Sequence, residues 1–333
     1  MPKGVGVRVP ASPLLPDYPR KAMNETAVFE HLTTEIKSID CQYGFLDIRR
    51  VPELKRELES RLHKGQLDTA FYANNLERLE VSAPIRFTEV NSLIIIAAPL
   101  PLTRLIFEYQ GRGRPVQIPP FYVFKDKLAA IRKALGRSLG AAGYQIADAR
   151  VPLKLAAVRS GLASYGRNNL AYIEGMGSFH RLVAFYTDLP SPADAWFRLN
   201  EMEECTSCGF CLGNCHTDCL IPDVGNRFLA RAEKCLTLYN EEPGELPSWI
   251  TPWLHNSLIG CMRCQSSCPV NRTFIRNVPI SDTFSEQEAM AILATPVFDN
   301  LPGALQEKLG KYDLQEYYDL VPRNLKFLLE WEL

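Results

Sequence analysis

Cys205-Thr206-Ser207-Cys208-Gly209-Phe210-Cys211-Leu212-Gly213-Asn214-Cys215, answered downstream by Gly260-Cys261-Met262-Arg263-Cys264-Gln265-Ser266-Ser267-Cys268-Pro269, decides how this chain is read. Nine of its ten cysteines lie between Cys205 and Cys268, with Cys219 and Cys235 between the two runs. Two-residue gaps let a tight loop wrap three corners of an iron–sulfur cube, and the fourth thiolate must come from elsewhere. In the two-cluster ferredoxin pattern, the cysteine that precedes a proline crosses to the other cube. The doubled spacing therefore predicts two 4Fe–4S clusters and electron transfer. Zinc is the competing reading, because paired Cys-x-x-Cys elements also build four-thiolate sites, but a zinc ribbon usually lacks the third cysteine of each run. A disulfide framework is disfavoured, since the rest of the chain holds only Cys41 and a chain this long needs no staples.

The 333 residues suffice for one large domain or two ordinary ones, and 46% apolar residues are enough for a packed core. With 37 basic and 38 acidic residues the formal charge is −1, which argues against holding nucleic acid by bulk charge while leaving room for a local basic patch. No apolar run reaches membrane-spanning length; Leu93 to Ala98 is strand-sized. Residues 1–22 are proline-rich and lack the apolar core of a secretory signal. They read as a flexible leader, with Met23 as an alternative start. Free thiols without an export signal point to the cytoplasm.

Around the cysteines, the patterning predicts a mixed α/β (α+β) fold. Val28, Leu32 and Ile36 form a helical stripe, as do Leu54, Leu58 and Leu62. Ser92 to Ala98 and Leu182 to Tyr186 read as strands, and Gly111 to Pro115 with Pro119-Pro120 as a loop. Phe124 to Gly140 is a helix with Leu128, Ile131, Leu135 and Leu139 on one face, and Pro152 opens another that Gly161 ends. Ser285-x-x-Glu288 is a capping box, and Leu314 to Trp331 is again helical. The expected organisation is a leader (1–22), an α/β domain (23–200), a ferredoxin-like double-cluster module (201–275) and a helical C-terminal segment (276–333).

With these elements in view, the chain resembles the epoxyqueuosine reductases, cobalamin-dependent iron–sulfur enzymes distantly related to reductive dehalogenases. The resemblance is carried by both cysteine runs, by Cys235-Leu236-Thr237 between them and by the trailing Pro269-x-Asn271-Arg272. Upstream it is carried by Arg159-Ser160-Gly161-Leu162, Gly166, Asn168, Asn169, Gly177-Ser178 and Tyr186-Thr187-Asp188-Leu189-Pro190. It implies one cluster on Cys205, Cys208, Cys211 and Cys268, and a second on Cys215, Cys235, Cys261 and Cys264. Cys219 competes with Cys215, and His216 stands where the family has proline. The resemblance also implies a base-off cobalamin held through Gly161, Ser164, Tyr165, Gly166, Asn168, Asn169, Gly177 and Ser178, since short polar side chains and exposed amides suit a corrin's amide edge and phosphate tail. The proton donor is implied ahead of the helix that Pro152 opens, with Asp148 the nearest candidate and Tyr144 and Tyr165 the alternatives.

The implied partners are an external electron donor of ferredoxin or flavodoxin type and a tRNA anticodon, with Arg112, Arg114, Lys125, Lys127, Arg272 and Arg276 as candidate phosphate contacts. The family tends to be polar and basic before the long helix, whereas Ile118 to Phe124 is apolar and aromatic, as the wall of a small-molecule site would be. The rival readings are therefore a dehalogenase-like reductase of the same build and a non-catalytic electron carrier.

Overall fold

The computed structural model describes residues 24–79, 89–222 and 230–330. The expected leader and Met23 lie outside them. The chain divides into two compact units. Of the described residues, one comprises 24–79, 89–99 and 125–206, the other 100–124, 207–222 and 230–330. The segment 103–118, placed by chain order in the first domain, thus belongs to the same unit as the C-terminal helices.

The first unit is built on a four-stranded sheet in the spatial order Gln42–Asp47, Ser92–Pro99, His180–Thr187 and Ile146–Asp148. Every neighbouring pair runs antiparallel. Leu93 to Ala98 are wholly buried, so both faces of the central strand are covered. Such a run reads alike in a parallel sheet and in an antiparallel one covered on both sides, which is why composition alone does not carry strand direction. Helix Glu25–Lys37 starts at Asn24, whose side chain accepts from the Thr26 N–H, and it buries the expected Val28, Leu32 and Ile36. Helix Lys125–Ser138 buries Ile131, Ala134 and Leu135, while Leu128 is only half-buried. Helix Leu153–Arg159 ends before Gly161, which turns the chain at φ +79. A side chain there would be strained and would strike the Phe197 ring.

In the second unit, Thr103–Tyr109 pairs antiparallel with Arg112–Ile118 and parallel with Ile280–Phe284. The expected loop at 111–115 is therefore a hairpin turn leading into a strand. Gln110 and Gly111 both take positive φ, as a two-residue hairpin turn requires. Pro115 is tolerated because its strand is an edge. Leu105, Phe107 and Tyr109 alternate inward, and the Phe107 and Phe284 rings stack at 4.4 Å in a core shared with Leu305, Leu309, Val321 and Leu325. Both halves of the Ser285/Glu288 capping box form at the start of helix Glu286–Ala294. Ile118, Tyr122 and Phe124 are buried, and Ile118 and Tyr122 belong to that same core. Much of this apolar stretch is interior packing.

Candidate metal centre

None of the ten cysteines is in a disulfide. In the second unit, Cys208, Cys211, Cys215, Cys235, Cys261, Cys264 and Cys268 are half-buried, while Cys219 is buried. The thiols of Cys211, Cys215, Cys235 and Cys261 lie close enough to Cys264 for their charges to bear on it. Burial, and then those neighbours, push the Cys264 thiol well above its usual range, and burial pushes Cys261 up to about 11. Cys219 lies against Cys215 and Cys235 and keeps its own proton tightly, while its presence draws those two thiols down to about 5 and about 6. Several thiolates this close repel one another unless a cation stands among them. Among the described residues no three His, Cys, Asp or Glu side chains converge as they would around one ion. Cys205 and the turn before it belong to the first unit, where the Arg167 N–H points at its sulfur at 3.5 Å.

Buried amide side chains hold the thiol-bearing loop. Asn324, fully buried, donates to the carbonyls of Asn240 and Leu258 at 3.0 and 2.9 Å. Asn240 donates to Gly260 O at 2.8 Å, and Asn271 to Gln265 O at 3.0 Å. Gly260 takes φ +65 against the Tyr122 ring, whose hydroxyl donates to Glu241. The Asn256 side chain donates to Cys261 Sγ at 3.2 Å. Of these asparagines, the sequence flagged only Asn271. Isolated asparagines in irregular segments carry no periodic signal.

In the first unit, Asp148 closes its strand and opens the segment that leads into helix Leu153–Arg159. Both of its oxygens accept from Arg132 Nη2 at 3.0 Å. Ser164-Tyr165 pairs with Ala171-Tyr172 in a short ribbon. Tyr165 is buried, and burial raises its hydroxyl pKa, which disfavours it as a proton source. Asn168 donates to the Tyr172 hydroxyl at 3.0 Å and accepts from the Leu170 N–H. Asn169, at φ +61, receives Lys154 on both its carbonyl and its side-chain oxygen. A Cβ on Gly166 would strike Tyr172 and Asn168. The amides of Gly161, Gly166, Asn169 and Gly177 donate to Val158, Leu170, Gly166 and Ile173 respectively. The expectation of exposed amides is therefore corrected at these four positions: the turn itself uses them.

Two buried histidines make stability depend on pH. Burial holds His180 down to about 4, and burial with the nearby Arg323 holds His255 to about 4, against an ordinary 6.5. His255 stacks on Phe327 with both ring nitrogens unpartnered, and His180 leaves Nδ1 unpartnered. The unfolded chain protonates both below 6.5 while the folded chain does not, so stability is lost as pH falls from about 6.5 toward 4. The shift bounds each contribution at ~3 kcal/mol. Urea melts at pH 7 and pH 5 should show this loss, and His255→Phe should reduce it.

The candidate phosphate contacts belong to both units. Arg112, Arg272 and Arg276 are exposed on the second unit and Arg114 is half-buried there, whereas Lys127 of the first unit donates to Ile39 O. No helix among the described residues is long and apolar enough to cross a membrane.

No protein-family model matches the chain. Among curated proteins, the epoxyqueuosine reductase of Burkholderia pseudomallei is 29% identical over 168 residues, 48% of this chain and 40% of that protein. That of Leadbetterella byssophila is 30% identical over 153 residues, 45% of this chain and 48% of the relative. The matches thus span less than half the length of these relatives. Among solved structures, epoxyqueuosine reductase from Streptococcus thermophilus aligns at TM-score 0.62 and 19% identity, over 90% of this chain and 80% of that one. An epoxyqueuosine reductase crystallised with a modified tyrosine tRNA stem loop aligns at TM-score 0.64 and 22% identity, over 92% and 82%. The chain is therefore similar to epoxyqueuosine reductases in sequence over part of its length, and shares their fold over most of it.

Proposed function

We propose that the chain is an iron–sulfur, cobalamin-dependent reductase resembling epoxyqueuosine reductase. The observation that carries this reading is the gathering of Cys211, Cys215, Cys235, Cys261 and Cys264 in a fold of the kind those enzymes have. When bound, the two 4Fe–4S clusters would supply single electrons, and a base-off cobalamin the centre at which substrate is reduced. Cys205, Cys208, Cys211 and Cys268 would hold one cluster, and Cys215, Cys235, Cys261 and Cys264 the other. Buried amides on Asn240, Asn271 and Asn324 keep the thiol-bearing loop in place. Ser164, Tyr165 and Ser178 would meet the corrin through their hydroxyls. Asp148 would supply the proton, held toward its strand end by Arg132. The substrate is epoxyqueuosine in tRNA, and the electrons come from a ferredoxin or flavodoxin.

The test uses full-length protein reconstituted anaerobically. It should carry about eight irons per chain, take up stoichiometric cobalamin with a base-off spectrum, and convert epoxyqueuosine in tRNA when reduced. Cobalamin uptake without turnover on tRNA would shift the reading to a same-build reductase of another substrate. No cobalamin uptake would shift it to an electron carrier.

A further inference from the structure

We infer that Asn256 is a positioning residue that raises the reduction potential of the cluster held by Cys261. The inference rests on the iron–sulfur reading above. The side-chain amide of Asn256 can be oriented without reference to sulfur. Its Oδ1 accepts from the Met262 backbone N–H at 2.7 Å, and a backbone N–H only donates, so the oxygen must face Met262. The NH2 group then faces the other way, where it donates to Leu254 O at 3.1 Å and to Cys261 Sγ at 3.2 Å. The backbone is pinned as well: Gln117 Nε2 donates to Asn256 O at 2.6 Å, and Gln117 O accepts from the Leu258 N–H at 2.8 Å. The donor is thus fixed at both ends of a residue on the strand-linked wall of the loop. Cys261 itself packs beside Leu236, Ile250 and Leu254, an apolar setting that weakens competition from water.

The physical consequence has one direction. Reduction adds one electron from a low-potential donor to the cube and takes up no proton, so negative charge on the ligating sulfurs increases. A fixed N–H donor stabilises that added charge more than the oxidised state, which makes reduction easier. Asn256 carries no charge of its own, so the effect does not depend on its titration.

The experiment is an EPR-monitored redox titration of anaerobically reconstituted, full-length wild type, Asn256→Asp and Asn256→Leu. The Asp variant keeps an acceptor for Met262 and puts an oxygen where the donor was; the Leu variant removes both. One midpoint potential should fall and the other stay. At fixed ambient potential the reduced-to-oxidised ratio of that cluster should drop about tenfold, equivalent to about 59 mV for a one-electron couple. Full iron content with both potentials unchanged overturns the proposal. If a variant loses iron, wild type grown with isotopically labelled asparagine decides: hyperfine coupling from the labelled nitrogen to the reduced cluster is expected, and its absence overturns the proposal. Wild type without iron would instead sink the iron–sulfur reading itself, an outcome the iron assay separates from the others.

Discussion

Replacing Cys264 by alanine should remove about four of the roughly eight irons and abolish turnover. Cys264 lies within electrostatic reach of Cys211, Cys215, Cys235 and Cys261, and its thiol is held protonated by burial and by their charge. Such a group gains most from a cationic cluster, because the metal removes both penalties at once. Losing one corner opens the cube to solvent and oxidant. Cys219→Ala provides the contrast. Cys219 lies against both Cys215 and Cys235, and a thiol outside the ligand set can be removed with the iron count unchanged. A halved iron count in Cys219→Ala would place it among the ligands, in competition with Cys215. Zinc in place of iron in oxygen-free wild type would overturn the whole reading. The measurement is iron and sulfide analysis with absorbance and EPR of the reduced protein.

Asp148→Asn should lower turnover by on the order of 10²–10⁴-fold, the range for a lost general acid, with iron content and cluster spectra intact. The residue stands at a strand end, on the segment leading into helix Leu153–Arg159, and both its oxygens are taken by Arg132. Asparagine preserves shape and one acceptor for that guanidinium. The ion pair is partly exposed, so its loss costs about 1 kcal/mol or less, too little to unfold the protein. A large drop in turnover would therefore be chemical and not structural. Unchanged turnover would assign Asp148 to tying its strand to helix Lys125–Ser138, and would leave Tyr144 as the next donor to test, since burial already disfavours Tyr165.

Much of this architecture is legible in the linear chain. The helical stripe Val28, Leu32, Ile36 is buried as its period requires, the run 92–98 is a central strand, and the capping box opens its helix. The hairpin 103–118 reads as a loop, because its glycines and prolines mask the alternation of Leu105, Phe107 and Tyr109. An edge strand accepts such a proline, and edge status is a property of the sheet. Gly161 and Gly166 are explained by tight backbone turns and close rings, a role that a cofactor reading of the same residues does not separate from ligand contact.

Cysteine spacing alone predicted iron–sulfur chemistry, because loop reach and thiolate count are local properties that two-residue gaps encode. The amphipathic periods likewise announced several of the longer helices, and a β-branched run the buried strand. Strand direction, the pairing of 103–109 with 280–284, and the asparagines that hold the thiol-bearing loop depend on partners far away in the chain. Those were settled only when the chain closed on itself, because a hydrogen bond or a stacked ring has no trace in sequence until both of its halves are brought together.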